Sequence, residues 1–142
     1  MRFSPLFTME NFLMSGLLPF PPHTWLDAIQ VIFLLLAGHA LMDYPMQGEF
    51  LSTCKNRHLL ILRNDPTRPV QIWPWCMTAH CILHAAAVWA ITGCFILCLV
   101  ELVLHWLIDL AKCEGKTTFV QDQFLHCICK IAYVGAAMLH GS

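Results

Sequence analysis

Four apolar runs, each about as long as a membrane-spanning helix, limit what this chain can fold into. A helix needs about 20 residues to cross the hydrocarbon core of a bilayer. Runs of about that length lie at about 26–44, 75–91, 94–113 and 118–139. Hydrophobic residues make up 58% of the 142 residues and charged residues only 12%, which is more apolar than soluble domains are. The sequence therefore predicts an all-α integral membrane bundle of about four transmembrane helices in a single domain, 26–142.

Proline and glycine mark the limits of these predicted spans. Pro45 ends the first span, because the residue before a proline is pushed out of the helical region. Thr92-Gly93 makes a tight turn between the second and third spans. Residues 1–25 do not resemble a cleavable signal, and we expect either an interfacial segment with Trp25 at headgroup level or a plain arm. Residues 46–72 are predicted to be a loop that includes a short helix at about 50–62.

The lysines and arginines predict the orientation, since short cytoplasmic loops carry the excess of positive charge. One side of the bundle holds Lys55, Arg57, Arg63, Arg68, Lys112 and Lys116, and the other holds Arg2. We therefore expect a multi-pass protein of the bacterial inner (plasma) membrane, with the basic loops in the cytoplasm and both termini outside. The net charge of −1 argues against a nucleic-acid partner.

Each predicted span carries two residues of metal-ligand type four positions apart. This spacing places both side chains on one helix face, within reach of a shared metal ion. The pairs are His39 with Asp43, His80 with His84, His105 with Asp109, and Asp122 with His126. The first and third spans run toward the cytoplasm with His before Asp, whereas the fourth runs outward with Asp before His. At a rise of about 1.5 Å per residue, one histidine from each span lies roughly 8–12 Å from its cytoplasmic end (His39, His80, His105 and His126), which predicts one polar layer.

The charge of this layer points to a metal site. Three aspartates, or four carboxylates with Glu101, are too costly to bury without cations, and protonated histidines or two divalent ions are the candidates. Imidazoles and carboxylates suit one or two ions of zinc, iron or manganese, and helix bundles hold such sites between facing helices. The predicted ligands are His39, Asp43, His80, His84, His105, Asp109, Asp122 and His126. A proton relay and polar packing between helices are the alternatives.

Other polar residues surround the predicted layer. Glu101 lies one turn deeper, as an extra ligand, a general base or a protonated packing residue. Lys112 and Lys55 are predicted to lie at the cytoplasmic rim, where lysines extend toward headgroups. A second role considered for Lys112 is to bind an anionic substrate. Lys130 has no assigned partner. The eight cysteines are interpreted as small apolar side chains rather than a disulfide framework.

Together the four motifs resemble those of domain-of-unknown-function family 3307, small bacterial and phage membrane proteins. The resemblance covers roughly residues 30–135. It is carried by His39-x3-Asp43-x3-Gln47 followed by Lys55, His80-x3-His84, His105-x3-Asp109-x2-Lys112, and Asp122-Gln123-x2-His126. It implies a multi-span membrane protein and assigns no activity. A looser likeness to membrane-bound metal-dependent hydrolases is an analogy that rests on His and Asp within spans.

The leading functional hypothesis is a metal-dependent hydrolase acting on a lipid or lipid-linked phosphate at the cytoplasmic leaflet. Asp122, as ligand or base, Glu101 and Lys112 are the candidate catalytic residues. One alternative is a non-enzymatic phage or bacterial membrane protein whose polar layer is structural. Another is a small ion or proton carrier, which would need a homo-oligomer to line a path.

Overall fold

The computed structural model describes residues 16–140, and within that range the chain is helical and has no strand. The all-α prediction is therefore confirmed. Four long helices correspond to the predicted spans, and two short ones lie between the first and second. They are α1 (Trp25–Asp43), α2 (Gly48–Cys54), α3 (Arg57–Arg63), α4 (Trp73–Thr92), α5 (Phe95–Cys113) and α6 (Phe119–His140), with a 3-10 turn at Val70–Ile72.

The four long helices form a closed ring. Helix α4 packs against α1 and α5, and α6 packs against the same two helices from the other side. Buried residues follow one another at intervals of three or four, as Ala28, Val31, Leu35 and His39 do on α1, so each helix turns one stripe inward. The half of the ring near Trp25 holds an apolar core that includes Val88 on α4 and Val134 on α6. The other half, the Asp43 end, holds the polar layer.

Local sequence signals fix where the helices begin and end. The Thr24 hydroxyl accepts from the backbone N–H of Asp27, and the Asp27 carboxylate accepts from that of Thr24, which forms a capping box at the start of α1. Gly93, with φ +66°, ends α4 in the left-handed region. Only Gly93 and Cys94 separate α4 from α5, so the two helices are antiparallel neighbours, as the predicted tight turn requires.

The start of the described chain lies against this turn. The backbone N–H of Leu17 donates to the carbonyls of Ala90 and Ile91. A Cβ added to Gly16 would lie 2.5 Å from the backbone nitrogen of Gly93, so this close approach requires glycine. Of the predicted interfacial segment, residues 1–15 lie outside the described residues, and the placement of the rest at a membrane surface stays a prediction.

The single short helix predicted at about 50–62 is wrong, because two helices occupy this stretch. Asn56 takes an extended conformation (φ −107°, ψ 108°), and its side chain accepts from the backbone N–H groups of His58 and Leu59, so it ends one helix and caps the next. Cys54 and Leu60 pack with Cys76 of α4 in a small separate apolar cluster. This cluster anchors α2 and α3 to the start of α4, at the Asp43 end of the ring.

Within residues 16–140, two segments are long and apolar enough to cross a membrane by length and composition, Trp25–Asp43 and Val70–Thr92. Helices α5 and α6 contain more polar sequence, but the structure turns it inward. Glu101, Asp109, Asp122 and Lys130 are each at most 1% exposed. The outer sides are apolar instead, with exposed side chains at Phe33, Ile96, Val103, Val120 and Phe124.

Candidate metal centre

The eight predicted ligand residues converge in the half of the ring near Asp43, two from each long helix. The five histidines form one cluster, with ring centroids 3.7 Å apart for His84 and His105 and 4.1 Å apart for His105 and His126. His39 lies 4.7 Å from His126, and His80 lies 4.6 Å from His84. All five rings are buried. The spacing of four residues therefore places both members of each pair on the inner face of a helix.

Three groups of side chains in this cluster could hold a metal ion, since their ligand atoms lie within 4.8 Å of one another. The groups are Asp43 with His80, His84 and His105; His39 with His105 and His126; and Asp109 with Asp122 and His126. Every one of the eight predicted ligands belongs to at least one group. The first and third groups share no residue, so we call them the Asp43 site and the Asp109 site.

The Asp43 site pairs its carboxylate with imidazoles and an amide. Asp43 Oδ1 lies 3.3 Å from His80 Nε2 and 3.2 Å from His84 Nε2. Its other oxygen, Oδ2, lies 3.4 Å from His39 Nε2 and accepts a hydrogen bond from Gln123 at 2.8 Å. The Asp43 side chain is 8% exposed. Its carboxylate is therefore buried among groups that carry no fixed positive charge.

The Asp109 site is different, because two lysines enter it. Lys55 Nζ donates to Asp109 Oδ2, while Lys112 Nζ donates to Asp109 Oδ1 at 3.1 Å and to Asp122 Oδ2 at 2.7 Å. The expectation that Lys55 extends toward headgroups is wrong: the residue is 4% exposed. Lys55 follows the last residue of α2. This helix lies over the Asp43 end of the ring and directs the Lys55 side chain inward. Lys112 is at the rim, 24% exposed, with its ammonium group engaged by both aspartates.

Glu101 lies one turn deeper than the layer, in a polar trio with Lys130 and Tyr133. Lys130 Nζ donates to Glu101 Oε1, and the Tyr133 hydroxyl donates to Oε2 at 2.8 Å. Oε1 also lies 3.0 Å from His105 Nδ1. Glu101 belongs to none of the three ligand groups. Lys130, for which the sequence offered no partner, is the counter-charge of Glu101.

The three lysines change the charge argument for a metal. The prediction that only protonated histidines or metal ions neutralise the four buried carboxylates is wrong. Three ammonium groups lie among those carboxylates, so one negative charge is left over when the imidazoles are neutral. Lys55, Lys112 and Lys130 pair with Asp109, Asp122 and Glu101, which leaves Asp43 as the carboxylate without an ammonium partner in the described part of the chain.

Several buried polar atoms of the layer lack a hydrogen-bond partner. They include both ring nitrogens of His39 and His84, Nδ1 of His80, Nε2 of His126 and Oδ1 of Asp122. A buried acceptor or donor without a partner is destabilising by about 1–3 kcal/mol. A cation bound among these atoms would satisfy several of them at once, so the residues present fit a metal ion.

Residues of α3 and the end of α5 cover the Asp43 end. Arg57 donates to Glu114 Oε2 at 2.7 Å, His58 Nε2 lies 3.3 Å from Glu114 Oε1, and the Arg57 guanidinium lies 5.9 Å from the centre of the Trp73 ring. The hydrogen bond from Arg57 lowers the pKa of Glu114. This contact, the Glu114 latch, joins residues more than 50 positions apart, and no periodic pattern in the sequence predicts it.

Comparison with known proteins gives a family. The sequence model of one protein family, described as Protein of unknown function (DUF3307), matches residues 31–141. The chain belongs to this family. The match confirms the resemblance drawn from the four motifs and includes all eight residues of the layer. No curated protein and no solved structure matches the chain.

Proposed function

We propose that this protein is a four-span membrane protein that holds one divalent metal ion at the Asp43 site and uses it to hydrolyse a lipid or lipid-linked phosphate. The observation that carries the proposal is the environment of Asp43. Its buried carboxylate faces imidazole nitrogens rather than ammonium groups. A divalent ion there would supply the missing positive charge and bind nitrogens that otherwise have no partner.

The proposal that all four long helices span the membrane rests on their outward faces. An aqueous bundle buries apolar side chains and exposes charged ones. Here α5 and α6 bury charged residues and expose apolar ones such as Ile96, Val103, Val120 and Phe124. This distribution suits hydrocarbon as the surrounding solvent, so the lipid bilayer is the proposed partner. We also propose a cytoplasmic position for the Asp43 end, with both termini on the opposite side, because Lys112, Lys116 and the arginines of residues 57–68 lie there.

The ligand set at the Asp43 site is three imidazoles and one carboxylate. Zinc, manganese and iron all accept nitrogen and oxygen donors, and a catalytic ion held by these residues would need one further coordination position for water. His105 belongs to both the Asp43 group and the central group with His39 and His126. The central group therefore lies next to the Asp43 site.

The proposed chemistry uses the two sites differently. His80, His84, His105 and Asp43 would hold the divalent ion, which would supply a water of lowered pKa, about 7, and polarise a phosphoryl oxygen. Asp122, whose Oδ1 has no hydrogen-bond donor, is placed to accept a proton. Lys112 is 24% exposed at the rim, where its ammonium group can bind an anionic phosphate. A substrate whose apolar part stays in the bilayer would reach this rim.

Metal analysis tests the proposal. Protein purified in mild detergent should contain about one equivalent of a transition metal per chain, and His84→Ala and Asp43→Asn should each reduce it to a small fraction. His23→Ala, an exposed histidine at the other end of the ring, is the matched control and should keep the full content. Less than about a tenth of an equivalent in the unaltered protein would overturn the proposal. Phosphate release from lipid-linked phosphates, with and without the metal, then tests the hydrolase assignment.

One specific observation favours a second function, proton transfer across the bundle. A chain of polar contacts runs from Tyr133 through Glu101, His105 and His80 to Asp109 and Lys55. Tyr133 also lines a cavity of about 810 Å³ at the Trp25 end. A carrier would acidify or alkalinise liposomes at a rate that falls sharply in Glu101→Gln. Unchanged proton flux in that variant would eliminate this function.

A further inference from the structure

We propose that Glu101 is a positioning residue that fixes the tautomer of His105. In this arrangement His105 carries its proton on Nδ1 and presents the lone pair of Nε2 to the Asp43 site. The effect on metal binding rests on the proposed function, whereas the tautomer itself does not. The assignment replaces the three roles that the sequence left open for Glu101, namely ligand, general base and protonated packing residue.

The hydrogen-bond partners of Glu101 decide where the His105 proton lies. His105 Nδ1 is 3.0 Å from Glu101 Oε1, and both residues are 1% exposed. An ionised carboxylate only accepts hydrogen bonds. The ring nitrogen beside it must therefore donate. A neutral imidazole has one proton, so Nε2 on the far side of the ring is left as an acceptor.

Lys130 and Tyr133 keep Glu101 in the state that this argument needs. The Lys130 ammonium donates to Oε1 and the Tyr133 hydroxyl to Oε2. Two donors, one of them charged, favour the ionised carboxylate and hold both of its oxygens in place. All three side chains are buried, at 1%, 1% and 5% exposure for Glu101, Lys130 and Tyr133. The three side chains are therefore one another's hydrogen-bond partners inside the bundle.

The second ring nitrogen of His105, Nε2, lies beside the proposed metal site. This nitrogen is 3.4 Å from His80 Nε2 and 4.0 Å from Asp109 Oδ2. A carboxylate that receives the second N–H of a ligating histidine orients the ring and makes it a better donor, and removing such a partner weakens metal binding by about 10–100-fold. Glu101 would act on the metal in this way, through His105 and without touching it.

The test combines histidine NMR with metal titration. The probe is the ¹⁵N and ¹H shifts of the His105 ring in metal-free protein, followed by titration with Zn²⁺. The test variant replaces the whole trio with apolar groups, Glu101→Leu with Lys130→Met and Tyr133→Phe, because removing all partners together leaves no unpaired buried charge. Glu101→Gln with Lys130→Met is a milder second variant that also keeps the local charge neutral. Lys116→Met, which removes an exposed charge at the same end of the ring, is the control.

The expected result is an Nδ1–H tautomer for His105 in the unaltered protein. Zn²⁺ affinity should fall about 10–100-fold in the triple variant, less in the double variant, and stay unchanged in the control. An Nε2–H tautomer in the unaltered protein would overturn the inference, and so would equal affinity in the triple or, if that does not fold, the double variant. A protein that binds no Zn²⁺ but shows the Nδ1–H tautomer would overturn the proposed function and support the role of Glu101.

Discussion

The two sites within the polar layer differ in what neutralises their aspartates. At the Asp43 site the buried carboxylate faces His80 and His84 at 3.2–3.3 Å. At the Asp109 site the carboxylates accept hydrogen bonds from Lys55 and Lys112. Both sites come from the same sequence pattern, histidine and aspartate residues at helical spacing. They differ in their balance of imidazoles and carboxylates and in the two lysines that enter the Asp109 site.

This difference indicates which site favours a metal. An ion at the Asp109 site would lie beside two ammonium groups, and like charges at short range in a poorly solvated interior repel strongly. The ligand atoms of the Asp43 site are imidazole nitrogens and one carboxylate oxygen, with no ammonium group among them. The layer therefore combines one site that is already neutralised with one that still needs a cation.

Removing Lys55 should destabilise the fold most. Lys55→Met leaves Asp109 buried with Lys112 as its remaining ammonium partner, and breaking a buried pair from one side destabilises by about 3 kcal/mol. The exposed Lys116→Met is the control, with an expected change within about 0.5 kcal/mol. The measurement is the free energy of unfolding in detergent. A loss for Lys55→Met no larger than that of the control would show that the Asp109 site does not depend on its lysines.

Neutralising the two aspartates should affect metal binding unequally. Asp43→Asn removes the carboxylate of the proposed site, and Zn²⁺ affinity should fall by about 100-fold, or about 2.7 kcal/mol. Asp122→Asn changes the site occupied by lysine and should weaken binding by less than about tenfold. Calorimetric titration of both variants gives the two values. Equal losses would remove the distinction between the sites.

Removing the rim lysine should change the number of ions bound. Lys112→Met removes the ammonium group from Asp122 Oδ2 and Asp109 Oδ1, so the Asp109 site gains negative charge and should become a second metal site. Metal content in excess Zn²⁺ should rise from about one to about two equivalents per chain. A content that stays near one would mean that something other than Lys112 keeps a second ion out.

The smallest expected effect is the pH dependence of the Glu114 latch. The pKa of Glu114 is lowered in the folded protein by the hydrogen bond from Arg57, so the latch stabilises the fold above the carboxyl pKa of the unfolded chain. This contribution is lost as the pH falls through the lowered pKa. Glu114→Gln should therefore speed hydrogen exchange in α3 at neutral pH and match the unaltered protein in strong acid. A difference that persists in acid would contradict this role.

The sequence predicted those parts of the site that depend on local spacing. His39 with Asp43 and the three other pairs lie four residues apart, and helical geometry alone brings each pair to one face. The fourth pair has Asp before His, the reverse of the first and third pairs, and α6 runs in the opposite direction to α1 and α5. From this the sequence predicted that the pairs lie at one depth. The pairs of Lys55 with Asp109 and Lys130 with Glu101 span 54 and 29 residues, and they depend on how α2 folds over the ring and how α5 faces α6. Sequence periodicity does not report such contacts.

The limits of the helices also separate into those that local sequence signals predict and those that depend on the backbone conformation. The capping box at Thr24 and the turn at Gly93 are local signals, and α1 and α4 begin or end at them. Asn56 can also be read from the sequence, but it caps α3 only because its backbone is extended. This extended residue splits the predicted helix into α2 and α3. That split sets the direction of Lys55.

The most direct test of the account is the position of a bound metal. Crystals of the protein soaked or grown with Zn²⁺, measured at the zinc absorption edge, should give one anomalous peak per chain between Asp43, His80, His84 and His105. A peak among Asp109, Asp122 and His126, or no peak in the layer, would show that the site without lysines is not the one that binds metal.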